Sequence, residues 1–426
     1  MKKKIIFSFF YLITLFLIFL LGSIYSYAQG YRTFRWEQEQ IIKRAKWRIG
    51  PFRLFPTINF RDIGYDGNVY YQREEDNPIS DYTATFSPQA KVYLLFRNFL
   101  ILSLTENPEY VYYFKQKRER RWNNTISPEI KFLFLNRFVI SGRYSYRNRR
   151  RRASSEFDVR ANELRESYRG SLFYETARRT SFGISASLEK ISYEDITLPG
   201  EEIYLSRLLN REERSGNLEF YYRIFSESFF FLSGGYTEYK FEHIQSRWRD
   251  SYSYQAYSGI RFPLFGKIRG TLSLGYKKLL PRREEKISFS GLVGSTSLDF
   301  RLGRFGFRVQ YNRDCHFSYW TNSMYFIEDR YGEGISFYLT KFLRLDYNFS
   351  YAEANYPEPM FLQMPDGRYE ELKRKDIYRI HTAGFVFRII RNTGIGLMVN
   401  FWERESNYYW ASRNRRFIGG YVTYEF

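Results

Sequence analysis

An alternation of apolar and polar residues with a period of two, sustained from about Arg53 onward, most constrains what this chain can fold into. In residues 343–351, Leu343, Leu345, Tyr347, Phe349 and Tyr351 share one face, and Arg344, Asp346, Asn348 and Ser350 the other. Phe305, Phe307, Val309 and Tyr311 alternate in the same way with Gly306, Arg308, Gln310 and Asn312, as do Phe182, Ile184, Ala186 and Leu188 with Gly183, Ser185, Ser187 and Glu189. Leu272, Leu274 and Tyr276 oppose Ser273, Gly275 and Lys277. Successive strand residues point to opposite faces, so each segment reads as a strand with one greasy and one polar face.

The connections come in two alternating kinds. Short turns centre near Arg97, Asn136, Arg178, Ser226, Phe265, Gly303, Lys341 and Arg391. Between them lie longer polar stretches at 71–81, 115–122, 147–163, 194–214, 243–250, 280–285, 313–322, 353–376 and 404–414. Eight turns and nine loops imply 18 strands, with 16 as the fallback; bacterial single-chain barrels carry an even number. A repeat of roughly 40 residues also fits a propeller blade, but a four-stranded blade turns about every ten residues, and these runs are longer.

A soluble sandwich alternates too, so the loop asymmetry and the composition decide the placement. Short turns at one end and long loops at the other suit a barrel with one rim facing the periplasm and one facing outward. Aromatics are 21% of the chain, 40 Tyr and 42 Phe against 7 Trp, and such rings anchor at head-group level. A mean hydropathy of −0.51 excludes a polytopic helical membrane protein. The expected fold is therefore all-β: a transmembrane antiparallel up-and-down β-barrel over residues 53–426. The C-terminus adds an assembly signal, with Ile418, Gly420, Val422, Tyr424 and the terminal Phe426 at alternating positions.

Residues 1–28 read as a signal peptide: Lys2, Lys3 and Lys4, an apolar run from Ile5 to Leu21, and Ser26-Tyr27-Ala28 before the cleavage point. An uncleaved anchor is the competing reading. The full chain carries +20; taking the leader's three lysines from 66 Lys and Arg, against 46 Asp and Glu, leaves +17. Export removes nucleic acid as a partner and turns that charge toward anionic polysaccharide or lipid head groups. Residues 29–52 form a periplasmic N-terminal segment, read either as a frayed tail or as a short basic amphipathic helix, and too short for a plug domain.

Phe52-Arg-Leu-Phe-Pro-Thr-Ile-Asn-Phe60, Tyr65-Asp-Gly-Asn-Val-Tyr70, Ser80-Asp81 and Phe86-Ser-Pro88 carry a family signal. This opening strand pair resembles that of the outer-membrane β-barrel porins often linked to exopolysaccharide systems. The resemblance implies a barrel in the outer membrane of a Gram-negative-type bacterium, with polysaccharide-export components as partners of the family.

The sequence offers little catalytic chemistry. Its histidines are His243, His316 and His381, and Asp314-Cys315-His316-Phe317-Ser318 is read as a polar loop, with an enzyme site as the sharper alternative. No cofactor or metal motif is present, so the expectation is a non-enzyme. Arg147, Arg149, Arg150, Arg151 and Arg152 read as an outside loop, either touching lipopolysaccharide phosphates or an acidic polymer or solvated and partly balanced by nearby acids. Arg143, Glu189, Arg261, Lys277, Arg308, Arg344 and Asp346 read as pore lining, with the positive charge of Arg308 and Arg344 expected to favour anions and Asp346, on the same face, to cancel Arg344 locally. Pro88, Pro108 and Pro128 read as strand bends where the outer rim begins. The expected function is a porin-like passive channel; exopolysaccharide export, a scaffold plugged by its own loops, and a barrel enzyme are the alternatives.

The terminal strand must be recognised by the barrel-assembly machinery and must close the sheet. Deleting Phe426 is expected to reduce the heat-modifiable, folded band on unheated gels severalfold while leaving synthesis and export unchanged. Normal assembly of the truncated chain would show that the strand is misread.

Overall fold

A computed structural model describes residues 33–425 apart from 157, 177–178, 199–200, 226–227, 265–267, 284–286, 320–322, 365–366 and 391. Residues 1–28, read above as a signal peptide, and Phe426 lie outside the described residues. The chain forms one antiparallel up-and-down barrel of 18 strands. The first half comprises β1 (Phe52–Asp66), β2 (Asp81–Phe96), β3 (Leu100–Glu106 continued by Glu109–Tyr113), β4 (Arg121–Phe134), β5 (Phe138–Arg152), β6 (Arg160–Glu175), β7 (Thr180–Tyr193), β8 (Arg211–Arg223) and β9 (Phe229–Phe241). The second comprises β10 (Ser251–Leu264), β11 (Ile268–Pro281), β12 (Phe289–Leu302), β13 (Phe305–Phe317), β14 (Tyr325–Tyr338), β15 (Leu343–Gln363), β16 (Tyr369–Ile390), β17 (Thr393–Ser406) and β18 (Arg413–Glu425). Each strand pairs with its sequence neighbour, and β18 pairs with β1 from Thr57↔Glu425 to Asp66↔Phe417. That last ladder leaves the wall without an edge.

The two faces sort as the alternation requires. Leu218, Leu274 and Leu292 are 57–63% exposed and point outward, an arrangement stable only against lipid. Toward the long loops the outer face carries tyrosine pairs, Tyr144 with Tyr168 and Tyr236 with Tyr254, at centroid distances of 5.0 and 5.2 Å. Toward the short turns it carries phenylalanines, Phe305 with Phe337 at 4.7 Å and Phe300 with Phe307 at 4.8 Å. These are the two aromatic girdles of a barrel that crosses a bilayer with strands. No helix among the described residues is long and apolar enough to cross one.

The eight short connections fall where the sequence puts them, between β2 and β3, β4 and β5, and so on to β16 and β17. Four residues named at their centres, Arg178, Ser226, Phe265 and Arg391, lie outside the described residues. Three long loops are shorter than expected. The arginines of 147–152 belong to β5, Asp314 to His316 belong to β13, and most of 353–376 is the paired ends of β15 and β16. Above the lipid both faces of a hairpin meet polar surroundings, so the alternation that marks a strand fades although the ladder continues.

The prolines act locally. Asn107 and Pro108 interrupt β3, and opposite them the β2–β3 ladder lapses. At Pro128 the β4–β5 ladder skips two positions, and the Ser127 hydroxyl donates to the Tyr144 carbonyl instead (3.2 Å). Pro88 stays paired, opposite Ile58.

The closing ladder is tight at one point. A bulge shifts the register between Phe60 and Ile63, and Asp62 adopts φ 53° to make it. A Cβ added at Gly64, just beyond, would collide with the backbone of Ile418 and Gly419 on β18. Gly64→Val is therefore expected to destabilise the folded barrel by about 1–3 kcal/mol. The check is a lower midpoint for loss of the heat-modifiable band, against no shift for Gly170→Val, where a Cβ meets nothing within 4 Å.

Candidate functional site

The short-turn mouth is occupied. Thr33 caps the helix Phe34–Arg44 (α1), its hydroxyl accepting from the Trp36 amide, and Lys43 and Arg44 suit its C-terminal end. Phe34, Gln38 and Ile41, at helical spacing, face the barrel interior. Phe34 and Ile41 pack on Tyr93 and Leu95 of β2, Ile101 of β3, Leu133 of β4 and Val139 of β5. Polar ties fix the helix: Gln38 donates to the Arg97 carbonyl, Lys131 pairs with Glu37 at 2.7 Å, and Arg35 donates to Asn136 at 3.1 Å. The N-terminal segment thus sits in the barrel mouth as a helix, and the strand Trp47–Ile49 follows it back onto β1.

The long-loop mouth is filled differently. The β5–β6 loop reaches six or more strands around the ring. Its Asp158 pairs with Arg404 of β17, and its Glu156 accepts from the Ser318 hydroxyl (2.7 Å) and the Tyr319 amide (2.6 Å). Arg249, from the β9–β10 loop, donates to the carbonyls of Leu208 (3.1 Å) and Tyr319 (2.8 Å), tying three loops together. Arg249, Arg374 and Arg404 are each 1% exposed. Such charges are costly to bury unless paired, so removing one partner is far worse than removing both. Ala153, Ala161, Ile191, Tyr193, Leu205 and Leu209 form an apolar core beneath them.

Above Arg313 the top of β13 parts from β12 while staying paired with β14 up to Phe317↔Tyr325. Its pairing with β12 ends at Gly294↔Arg313, while Phe317 packs on Tyr239 and Phe241 of β9 at 4.4 and 6.0 Å. The five residues read as a polar loop are accordingly divided. Asp314 pairs with Lys277 at 2.8 Å, Cys315 is buried in an apolar cluster, and Ser318 serves Glu156. No metal-holding group of His, Cys, Asp and Glu occurs among the described residues.

Between the mouths, the inner face is polar. Arg143, Glu189, Arg261, Lys277, Arg308, Arg344 and Asp346 all lie at inward-facing strand positions, as the alternation implies. The expectation of unpaired charge at Arg308 is overturned, whereas Arg344 meets Asp346 as their shared face implies. Arg308 pairs with Asp299 of β12 at 2.7 Å, and Arg344 with Asp346 at 2.9 Å. Arg143 likewise meets Glu129 at 2.7 Å, and Glu189 meets Arg165 at 2.7 Å. The Arg308 and Asp299 side chains remain 53% and 51% exposed, so water reaches the wall there. One cavity of about 360 Å³ lies along β6 to β13, and a second of about 500 Å³ along β13 to β16.

A family model described as "Putative beta-barrel porin 2" matches residues 45–426. The chain belongs to that porin family. Among curated proteins no sequence matches it. Solved barrels that it is similar to include OpdK of Pseudomonas aeruginosa, crystallised with vanillate, at 8% identity and TM-score 0.49 over 88% of this chain and 98% of that one. The siderophore receptor PirA of Acinetobacter baumannii follows at 8% identity and TM-score 0.45, over 88% and 80%. The FrpB iron transporter of Neisseria meningitidis gives 9% identity and TM-score 0.47, over 86% and 63%.

Seating of the β5–β6 loop in the long-loop mouth is expected to depend on pH through Glu156. Burial pushes its carboxyl above the ordinary range, against the opposing pull of Arg374 and of the hydrogen bonds from the Tyr319 amide and the Ser318 hydroxyl. A raised value means that the seated loop binds a proton more tightly than the released one. The contribution is full below the ordinary carboxyl range and is lost as pH rises through the raised value. A nitroxide at Ser155→Cys, in a Cys315→Ser background, is expected to be less mobile at pH 4 than at pH 8. Adding Glu156→Gln should hold it immobile throughout, and a mobility independent of pH in both proteins would contradict the assignment.

Proposed function

We propose that the protein acts in the outer membrane of a Gram-negative-type bacterium as a porin-like passive channel that favours anions. The closed 18-stranded wall with a hydrated, charged inner face carries this reading, since barrels of 16–18 strands enclose an aqueous channel. Ion-paired Arg308 and Arg344 contribute little selectivity; the basic excess on the inner faces of β5 and β6 supplies it. Lipopolysaccharide around the tyrosine girdle and the assembly machinery at β18 are the partners proposed with it. The residues around His316 are engaged in pairing and packing, which supports a role without catalysis.

A second reading, a non-conducting scaffold, draws on the occupied mouths. Reconstitution into planar bilayers separates the two. Full-length protein is expected to conduct weakly, and a variant lacking residues 33–46 roughly twofold more or better, because α1 no longer fills the short-turn mouth. In a salt gradient the reversal potential should have the anion-selective sign, larger at low salt, where the Debye length is about 10 Å at 0.1 M. Arg308→Gln leaves Asp299 uncompensated and should shift that potential toward cations. No conductance from either protein would favour the scaffold.

A further inference from the structure

Two arginines and a threonine on the inner wall have buried polar atoms that nothing in the barrel meets. In one row across the sheet, Thr125 of β4 stands opposite Arg147 of β5, and Arg147 opposite Arg165 of β6. Arg149 follows two positions above Arg147 and so shares its face. Among the described residues the Thr125 hydroxyl and the Nε atoms of Arg147 and Arg149 are buried without a hydrogen-bond partner, and neither guanidinium joins an ion pair. The carboxylates of this patch are committed to other groups. Glu163 pairs with Arg151 at 2.6 Å and Arg165 at 3.2 Å and accepts from the Tyr193 hydroxyl at 2.8 Å, and Glu189 pairs with Arg165 at 2.7 Å. On the neighbouring β8, Arg211 and Glu213 answer each other at 2.7 Å. The guanidiniums of Arg147, Arg149, Arg151 and Arg165 therefore face only the carboxylates of Glu163 and Glu189, which leaves Arg147 and Arg149 uncompensated. Like charges directly opposite on a ladder destabilise it, and a buried donor without an acceptor loses the hydrogen bond that water would have given it.

We propose that Thr125, Arg147 and Arg149 hold one small dianionic tetrahedral oxyanion, of the phosphate class, on the lumen wall. The proposal rests on the channel reading above for its role and names the class of solute that the wall retains and passes on. Charge sets the valence: a dianion cancels two uncompensated guanidiniums, and a monoanion leaves one of them unanswered. Geometry sets the shape. A guanidinium presents its N–H groups as a rigid fork that matches two oxygens of a phosphate, and the threonine hydroxyl turns to donate from the strand beside it. Arg147 and Arg149 are about 7 Å apart along β5, a gap that two long side chains close on a single anion. Four oxygens at tetrahedral angles can accept from both forks and from Thr125 together, whereas a carboxylate offers two oxygens in one plane. Below the row Ser145 stands opposite Ser167, so the wall stays polar on that side of the site.

The test is calorimetric titration of folded full-length protein in detergent, at about pH 8 and low salt, with inorganic phosphate, with acetate, and with dimethyl phosphate, which keeps the tetrahedral shape and the single charge of a lipid diester. Phosphate is expected to bind, and acetate and dimethyl phosphate to bind at least about tenfold more weakly. Arg147→Gln with Arg149→Gln should weaken phosphate at least about tenfold, Arg147→Lys with Arg149→Lys less so, Thr125→Val about threefold or more, and Arg308→Gln less than about twofold. Folding is verified by the heat-modifiable band, and the lysine pair and Thr125→Val carry the test if the glutamine pair does not assemble. No phosphate binding, acetate bound as tightly as phosphate, or binding indifferent to all of the Thr125, Arg147 and Arg149 changes would each overturn the site. Dimethyl phosphate bound as tightly as phosphate would overturn the dianion and point to a lipid head group instead. Because the titration needs no conductance, a barrel that binds phosphate without conducting overturns the channel reading alone, and one that conducts without binding phosphate overturns this one.

Discussion

Everything in this molecule depends on satisfying the backbone within a medium that offers no hydrogen bonds. A strand edge in hydrocarbon would leave a row of bare amides and carbonyls, each costing several kcal/mol, so the sheet must return to its own beginning. The β18–β1 ladder does that, and its bulge at Asp62 and close approach at Gly64 show how little slack the closure has. Once the ring is closed the side chains are free to specialise: outward for lipid, inward for whatever the lumen holds.

That specialisation is why the wall was legible in the sequence. Leu343 to Tyr351 alternate because one side meets lipid and the other water, and the short turns are legible because a tight reversal at one rim leaves little room for variation. Legibility ends where the lipid ends. The stretch 353–376 looks like a loop because nothing apolar marks its faces above the membrane, yet β15 and β16 stay paired nearly to Gln363 and Tyr369. The arginines of β5 were hidden in the same way, since charges on both faces erase the period that would have revealed a strand.

The counter-ions were illegible for a different reason. Facing Arg308 with Asp299 requires the register between β12 and β13, and a one-residue slip would separate them. Inward orientation follows from one strand alone; pairing needs two. The helix α1 lies between these cases. Of its buried positions Phe34, Gln38 and Ile41 only two are apolar, which leaves helix and frayed tail both open in the sequence, and its partners on β2 to β5 are not local to it. Of the two readings the sequence leaves open, the helix is the one formed, and the wall that receives it supplies the packing a short helix lacks alone.

The β5–β6 loop finds its partners late in the chain. Glu156 meets Ser318 at a separation of 162 residues, and the Asp158 carboxylate meets Arg404 at 246. Contacts of such range form only after the intervening chain is arranged, which makes them the last to be gained. A barrel stalled before β17 joins the ring would therefore be a half-built wall with its outward mouth unsealed. The order of assembly thus makes a leaky intermediate the natural failure of this design, and rapid completion of the final hairpin a condition of keeping the envelope tight.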